Sequence, residues 1–250
     1  MSDAASSGSS SPVVNSLGQK IGFPLSGWVP PPAPSKESIA GRYCQLVPLD
    51  PDLHAADLHA ANGLDVEQRM WTYLPYGPFE SFEQYCEWLR AARESTDPLY
   101  FAVIDSTTKR AVGVVSYLRI DPKNGVIEVG HLAYSPRLQR TPAATECMYL
   151  LMKQAFDLGY RRYEWKCDSL NAPSRAAALR LGFQFEGLFR QAAVYKERSR
   201  DTAWYSIIDR EWPQIEAAFE RWLDPANFNA HGEQHLRLSD LTARARKEML

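Results

Sequence analysis

The sequence predicts a mixed α/β fold of the α+β kind: a mostly antiparallel central sheet flanked by helices. Three observations predict it. LYFAVID, AVGVVSYLRID and VIEVGHLAY are apolar, β-branched runs joined by short turns, and the second turn carries Asn124-Gly125, a strong hairpin signal. The last of these runs stops at Ser135-Pro136 and leads to Thr141-Pro142, which reads as an N-cap with proline at the first helical position. Beyond the helix that follows, YRRYEWKCDS is another strand, and a crossover of that length sets it parallel to VIEVGHLAY.

Taken in order, residues 1–36 read as a disordered or extended tail. MSDAASSGSSS is rich in Ser, Ala and Gly, WVPPPAPS favours polyproline II, and Phe23 and Trp28 are large enough to dock on a domain surface. A folded domain is expected over 37–224. RYCQLVPLD opens it as a strand, and Asp50-Pro51 starts a helix with Leu53, Ala56 and Ala60 along one stripe and His54 and His59 in solvent. RMWTYLPYGPF follows, with Trp71, Tyr73, Tyr76 and Phe79. That many aromatic side chains either pack the loop onto the core or line a substrate pocket. Ser81 starts a second helix with Phe82, Tyr85, Trp88 and Leu89 turned inward. After the three strands and the long helix, Gly159 caps that helix. LNAPSRAAALRLGFQFEG gives a loop, a short helix and a glycine stop, FRQAAVYKERSRDTAWYSIID a last hairpin, and EWPQIEAAFERWL a closing amphipathic helix. Residues 225–250 read as a polar, mobile extension.

Composition bounds the function. Net charge is −2, from 28 basic and 30 acidic residues, which argues against the electrostatic footprint of a nucleic-acid binder. Cys44, Cys86, Cys147 and Cys167 have no metal or CxxC spacing and read as reduced thiols of a cytoplasmic protein. No run has transmembrane length, and a secretory signal is not expected, because the first residues lack a basic region followed by an apolar core.

The strand–loop–helix at 126–144 is where chemistry concentrates. A strand aimed at a helix N-terminus, with Arg137 and Arg140 at the junction, is an anion-binding device. The plain alternative is a turn that holds no ligand. In a regular strand Ile127, Val129, His131 and Ala133 share one face, while Glu128, Gly130, Leu132 and Tyr134 share the other. His131 then reads as a satisfied core histidine.

Two segments resemble the GNAT N-acetyltransferase superfamily. In QRTPAA, Gln139 and Ala144 match the ends of the family pattern Q/R-x-x-G-x-G/A. In NAPSRAAALRLGF, Asn171, Ser174, Gly182 and Phe183 match its N-x-x-S/A…G-F segment. The resemblance covers roughly 41–222 and is closest to the RimJ/RimL branch, which acetylates ribosomal-protein N-termini. It implies a sheet splayed between the two central parallel strands, acetyl-CoA as cofactor, and an amine acceptor (a protein N-terminus or a small molecule). Membrane or direct nucleic-acid partners are not expected, and a homodimer is left open. By family position, the backbone of Leu132, Ala133 and Tyr134 would pair with the pantetheine arm. N–H groups near Thr141, Ala143 and Ala144, with Arg137, Gln139 and Arg140, would hold the pyrophosphate, and Asn171 would reach the arm or an ordered water. Glu128 would act as base through water, Ser174 or Tyr195 as acid, and Trp71, Tyr73, Tyr76 and Trp204 would meet the acceptor. The chain departs from the pattern twice: Pro142 stands at the first glycine and removes one N–H, and Ala178 stands where many members carry a tyrosine acid. A competing reading, a catalytically silent acyl-CoA-binding or protein-interaction module, rests on those two departures.

Overall fold

The computed structural model describes residues 12–248; residues 1–11 of the expected tail, and 249–250, lie outside the described residues. The segment up to Pro30 is a unit of its own. Where an extended tail was expected, it holds a small antiparallel hairpin of β1 (Val13–Val14) and β2 (Lys20–Ile21). Asn15 closes this hairpin, because its Oδ1 accepts the N–H groups of Leu17 and Gln19 and stands in for a backbone turn.

From Pro31 onward the chain builds an eight-stranded sheet from β3 (Ile39–Ala40), β4 (Cys44–Pro48), β5 (Leu99–Asp105), β6 (Ala111–Asp121), β7 (Val126–Tyr134), β8 (Arg162–Asp168), β9 (Gln184–Tyr195) and β10 (Arg198–Ile208). Their spatial order is β3-β4-β5-β6-β7-β8-β10-β9. Neighbours are antiparallel except β7 and β8, which run parallel because a helix carries the chain back between them. The helices are α1 (Pro51–Asn62), α2 (Phe82–Glu94), α3 (Pro142–Asp157), α4 (Ala172–Arg180), α5 (Trp212–Leu223) and α6 (Leu238–Glu248). This is the mixed, mainly antiparallel architecture that the sequence predicts. No helix among the described residues is long and apolar enough to cross a membrane.

Helix starts follow local chemistry. The side chains of Asp50, Ser81 and Thr141 accept the N–H groups of Asp52, Gln84 and Ala144, each worth about 1 kcal/mol. α1 and α2 lie on the front of the sheet, where Leu58, Trp71, Leu89 and Tyr100 form one core. The other four helices lie on the back, around Tyr117, Ile127, Leu151, Tyr163, Phe183 and Phe219. Glu146 ties α3 to the start of β4. Its buried carboxylate accepts the N–H groups of Arg42, Tyr43 and Cys44 at 2.8, 2.6 and 2.8 Å.

Three expectations are corrected. α1 buries His54, Ala55, Leu58, Ala61 and Asn62, not the Leu53 stripe, and Leu53 is 73% exposed. Alanine on every side gives this helix no amphipathic signal, and His54 is fixed inward because its Nδ1 accepts the N–H of Asp50 at 3.0 Å. Phe82 sits at the rim of α2 at 38% exposure, while Tyr85, Cys86, Leu89 and Ala92 are buried. The C-terminal stretch is anchored: α6 sends Leu238, Leu241 and Ala245 into the back core, and Arg246 donates to the carbonyls of Phe183 and Leu179.

Candidate functional site

Two bulges shape the centre of the sheet. β6 and β7 pair Val114 with Ala133 and Ser116 with Gly130, so β7 carries one extra residue there, and His131 takes φ +51°. The extra residue reverses the alternation. Ile127 and Val129 enter the back core, but Ala133 enters the front core and His131 stacks on Tyr76 at 5.6 Å, with Tyr100 edge-on. His131 therefore lies on the front face with Glu128, a correction to the regular-strand reading. The second bulge, in β6, turns Arg119 (φ +47°) back toward Glu128, and Asp97 holds it by accepting the N–H groups of Arg119 and Ile120 at 2.8 and 3.1 Å. Burial, with Arg119 as a second cause, pushes the His131 imidazole down to about 4, so it is neutral at neutral pH. Its Nδ1 is buried without a partner, so His131 is not the satisfied core histidine expected.

A ladder of charges crosses the front face at this level. Glu128 Oε2 binds Arg119 Nη1 at 2.6 Å and Lys166 Nζ at 2.8 Å, leaving Oε1 as the oxygen that is not ion-paired. Lys166 also binds Glu164 at 2.7 Å, Arg162 binds Glu164 at 2.6 Å, and a second pair joins Arg162 to Glu186 at 2.5 Å. The Lys166 side chain is 6% exposed and its ammonium lies 3.7 Å from the centre of the Trp204 ring, a desolvated cation–π contact. Arg119, Lys166 and Glu164 were missed in the sequence. A signal was there: Arg162, Glu164 and Lys166 alternate with buried Tyr163, Trp165 and Cys167, but such a polar row ordinarily marks a solvated face.

Beyond Val129 and Trp165 the parallel pairing of β7 and β8 ends, and the two strands open into a wedge. The edge of β7 from Gly130 to Tyr134 that faces β8 is left without a strand partner, and this fits an extended arm laid along Leu132, Ala133 and Tyr134. At the wedge's outer end, Arg140 takes φ +61°. The expected phosphate donors are only partly free there. Thr141 N–H goes to Leu138 O, Ala144 N–H goes to the Thr141 hydroxyl, and Pro142 has none. Ala143 N–H remains, with the exposed side chains of Arg137 and Arg140. Gln139 braces the loop by donating to Tyr134 O at 2.7 Å. The residues present thus fit an anionic cofactor, with more weight on arginine charge and less on backbone donors than the family pattern implies.

The remaining candidates divide. Asn171 caps α4, its Oδ1 accepting the Ser174 N–H at 3.2 Å, beside the open end of β8. Ser174 Oγ accepts from the Trp165 indole at 3.0 Å. Tyr195 donates to Asp168 at 2.8 Å, and burial first, then that carboxylate, push its phenol up to about 12. Trp71 is 6% exposed and packs the front core, so it supports the loop and does not line a pocket. Tyr73 spans to Leu170 O at 3.0 Å. Tyr76 packs on Trp88 with its hydroxyl buried and unpartnered, and the Trp204 indole N–H is in the same state. Ala178 is fully buried in the back core.

Comparison with known proteins agrees with this geometry. A family model described as the acetyltransferase (GNAT) domain matches residues 44–184. A solved GCN5-related N-acetyltransferase from Brucella melitensis is 44% identical, with a TM-score of 0.86 over 88% of this chain and 100% of that one. Among curated proteins, an uncharacterized N-acetyltransferase p20 of Bacillus licheniformis is 30% identical over 45% of this chain. The ribosomal-protein-serine acetyltransferase of Escherichia coli (strain K12) is 31% identical over 40% of it. The chain spans 63% and 56% of the length of these two curated relatives. The family model covers more than half of the chain, and its eight-stranded sheet opens where a GNAT sheet is expected to open; the chain belongs to the GNAT acetyltransferase family.

Proposed function

We propose that this protein transfers an acetyl group from acetyl-CoA to the nitrogen of a primary amine, by direct attack of the amine on the thioester. Members of the family use acetyl-CoA as co-substrate. The observation that carries the reading for this chain is the juxtaposition at the mouth of the wedge: a free strand edge and an arginine-flanked helix N-terminus on one side, a fixed carboxylate on the other.

An ammonium ion has no lone pair, so the acceptor must give up a proton before or as it attacks. We assign this step to Glu128, acting through water, because it is the front-face carboxylate next to the point where the strands part. Arg119 and Lys166 hold Oε2, which fixes the carboxylate plane and leaves Oε1 for the proton. His131 shares that face as a neutral imidazole, so it adds no charge to repel a cationic amine. The departing thiolate needs a proton in turn. Ser174 is the first candidate: its hydroxyl accepts from Trp165 and has the Cys167 thiol as its neighbour, a weak acceptor from which its hydrogen can turn, whereas Tyr195 has committed its hydrogen to the Asp168 carboxylate. Asn171 positions α4 at the end of β8 and orients the wedge on that side.

Calorimetric titration with acetyl-CoA and CoA, beside a thiol-release assay over a panel of primary amines, tests the reading. Binding with acceptor-dependent thiol release is expected. Binding without release for any amine would favour the silent acyl-CoA-binding reading, and no binding would reject the transferase and leave only a protein-interaction role on this fold.

A further inference from the structure

We propose that the charge ladder on the front face sets the proton affinity of Glu128, so that Lys166, Glu164 and Arg162 are positioning residues of the transfer step; this deepens the transferase reading and rests on it. The Glu128 carboxylate, 4% exposed, meets two cations, Arg119 at 2.6 Å and Lys166 at 2.8 Å. Opposite charges at that range favour the ionised form, and a carboxylate held fully by both would be a weak base.

Two features offset this. Arg119 is 62% exposed, and water screens its charge. Lys166 is buried, but its charge is divided. Its ammonium lies 2.7 Å from Glu164 and 2.8 Å from Glu128, and the Trp204 ring closes a third side at 3.7 Å. Glu164 also stands beside Glu128 in the parallel register, so its negative charge opposes the ionisation of Glu128 directly. Arg162 holds Glu164 at 2.6 Å, and Glu186 grips Arg162 with both oxygens, at 2.8 and 2.5 Å. The Ser206 hydroxyl donates to Glu186 at 2.7 Å and fixes the outer end. From Arg119 to Glu186 the signs alternate. From Glu128 outward, side-chain exposure rises through 4, 6, 8, 25 and 37%. The effect of each charge on Glu128 therefore alternates in sign and fades outward, as distance and water increase. The other titratable groups on this side do not override it. His131, on the same strand, is neutral, Tyr76 stacks on His131, and Asp97 binds the backbone of Arg119 and Ile120.

The test uses the full-length protein labelled with carbon-13 at the glutamate side-chain carboxyls, with the Glu128 signal identified by its loss in E128Q. Relative to wild type, the Glu128 titration midpoint is expected to rise by about 1–2 pH units in Lys166→Met, which removes a positive charge. It is expected to fall by about half a unit to one unit in Glu164→Gln, which frees Lys166 for Glu128 with little change of shape. Arg162→Met is expected to raise it, by less than Lys166→Met does. The acid side of the kcat/KM profile, measured with acetyl-CoA and one primary amine throughout, is expected to move with the same signs. A ladder that only stiffened the sheet would destabilise all three variants without opposite shifts. Midpoints that stay put, or that move the same way in Glu164→Gln and Arg162→Met, would overturn the proposal, and that pair decides the matter even if Lys166→Met does not fold. Midpoints that move as expected beside an unmoved rate profile would overturn the link to the transfer step. Expected midpoints with no amine turned over would count against the transferase reading, and the tuning of Glu128 would stand.

Discussion

Replacing Lys166 with Met removes the charge at the centre of the ladder and nearly preserves its volume. The Lys166 ammonium sits between Glu128 at 2.8 Å and Glu164 at 2.7 Å, and both carboxylates are under 10% exposed. Glu128 and Glu164 are direct partners in the parallel register, so the variant sets two buried carboxylates opposite each other. Glu128 keeps only Arg119, which is 62% exposed and correspondingly screened, while Glu164 keeps Arg162. Breaking a buried ion pair from one side costs about 3–5 kcal/mol. In a chain of this size that is a fall in Tm of roughly 6–20 °C, measurable by thermal and urea unfolding followed by circular dichroism. The double variant E128Q/K166M removes both halves of the closest pair and should recover a large part of the loss, since no unpaired charge is then left on β7. A single-variant loss below about 1 kcal/mol, or a double variant as unstable as the sum of its singles, would refute the reasoning that the ladder is a coupled buried network.

Glu146→Ala strands three backbone N–H groups and should cost about 3–5 kcal/mol of stability, read as a shift in the urea midpoint; a loss under about 1 kcal/mol would show that water replaces the carboxylate. His131 gives a pH signature. Its folded value of about 4 lies below the ordinary value near 6.5, so the unfolded chain takes up a proton first as pH falls. Its contribution is complete above about pH 6.5 and is lost toward pH 4, on the order of 1–3 kcal/mol. Wild type should therefore lose more stability across that window than His131→Gln, and identical pH profiles would contradict the assignment. Pro142→Gly restores an N–H at the start of α3 and should tighten acetyl-CoA about fivefold by calorimetry, at a stability loss of up to about 1 kcal/mol. Unchanged affinity would mean that Arg137 and Arg140 already saturate the anion site.

Much of this was readable from local chemistry. Asp50, Ser81 and Thr141 announce their helices because a capping side chain acts within three residues, and Asn124-Gly125 announces the β6–β7 hairpin for the same reason. The faces of β7 were not readable past Val129. A bulge depends on the partner strand's register, and nothing in GHLAY distinguishes five regular residues from a stretch with one inserted. α6 was read as polar extension because its apolar stripe is only Leu238, Leu241 and Ala245, at helical spacing but outweighed by the polar and charged residues around it. The site divides along the same line. Glu128, Asn171 and the 137–144 loop follow from motif positions, whereas Lys166 and Arg119 reach Glu128 across strands that sequence spacing does not connect.

The outer strands bear on how the protein behaves at high concentration. At one margin β3 is two residues long, too short to template a foreign strand. At the other, β9 runs for twelve residues with Phe185, Leu188, Phe189 and Val194 at 47, 47, 53 and 81% exposure, the profile of an aggregation seed. Its register breaks opposite Asp201: Gln191 takes φ +49°, and Asp201 Oδ1 captures its N–H at 2.7 Å. A second register shift lies between Trp204 and Tyr205, and the two breaks divide the free margin into three short pieces. A second chain can hydrogen-bond to one piece but not to all of them in one straight ladder, so β9 keeps its apolar side chains without offering a continuous template for fibril growth.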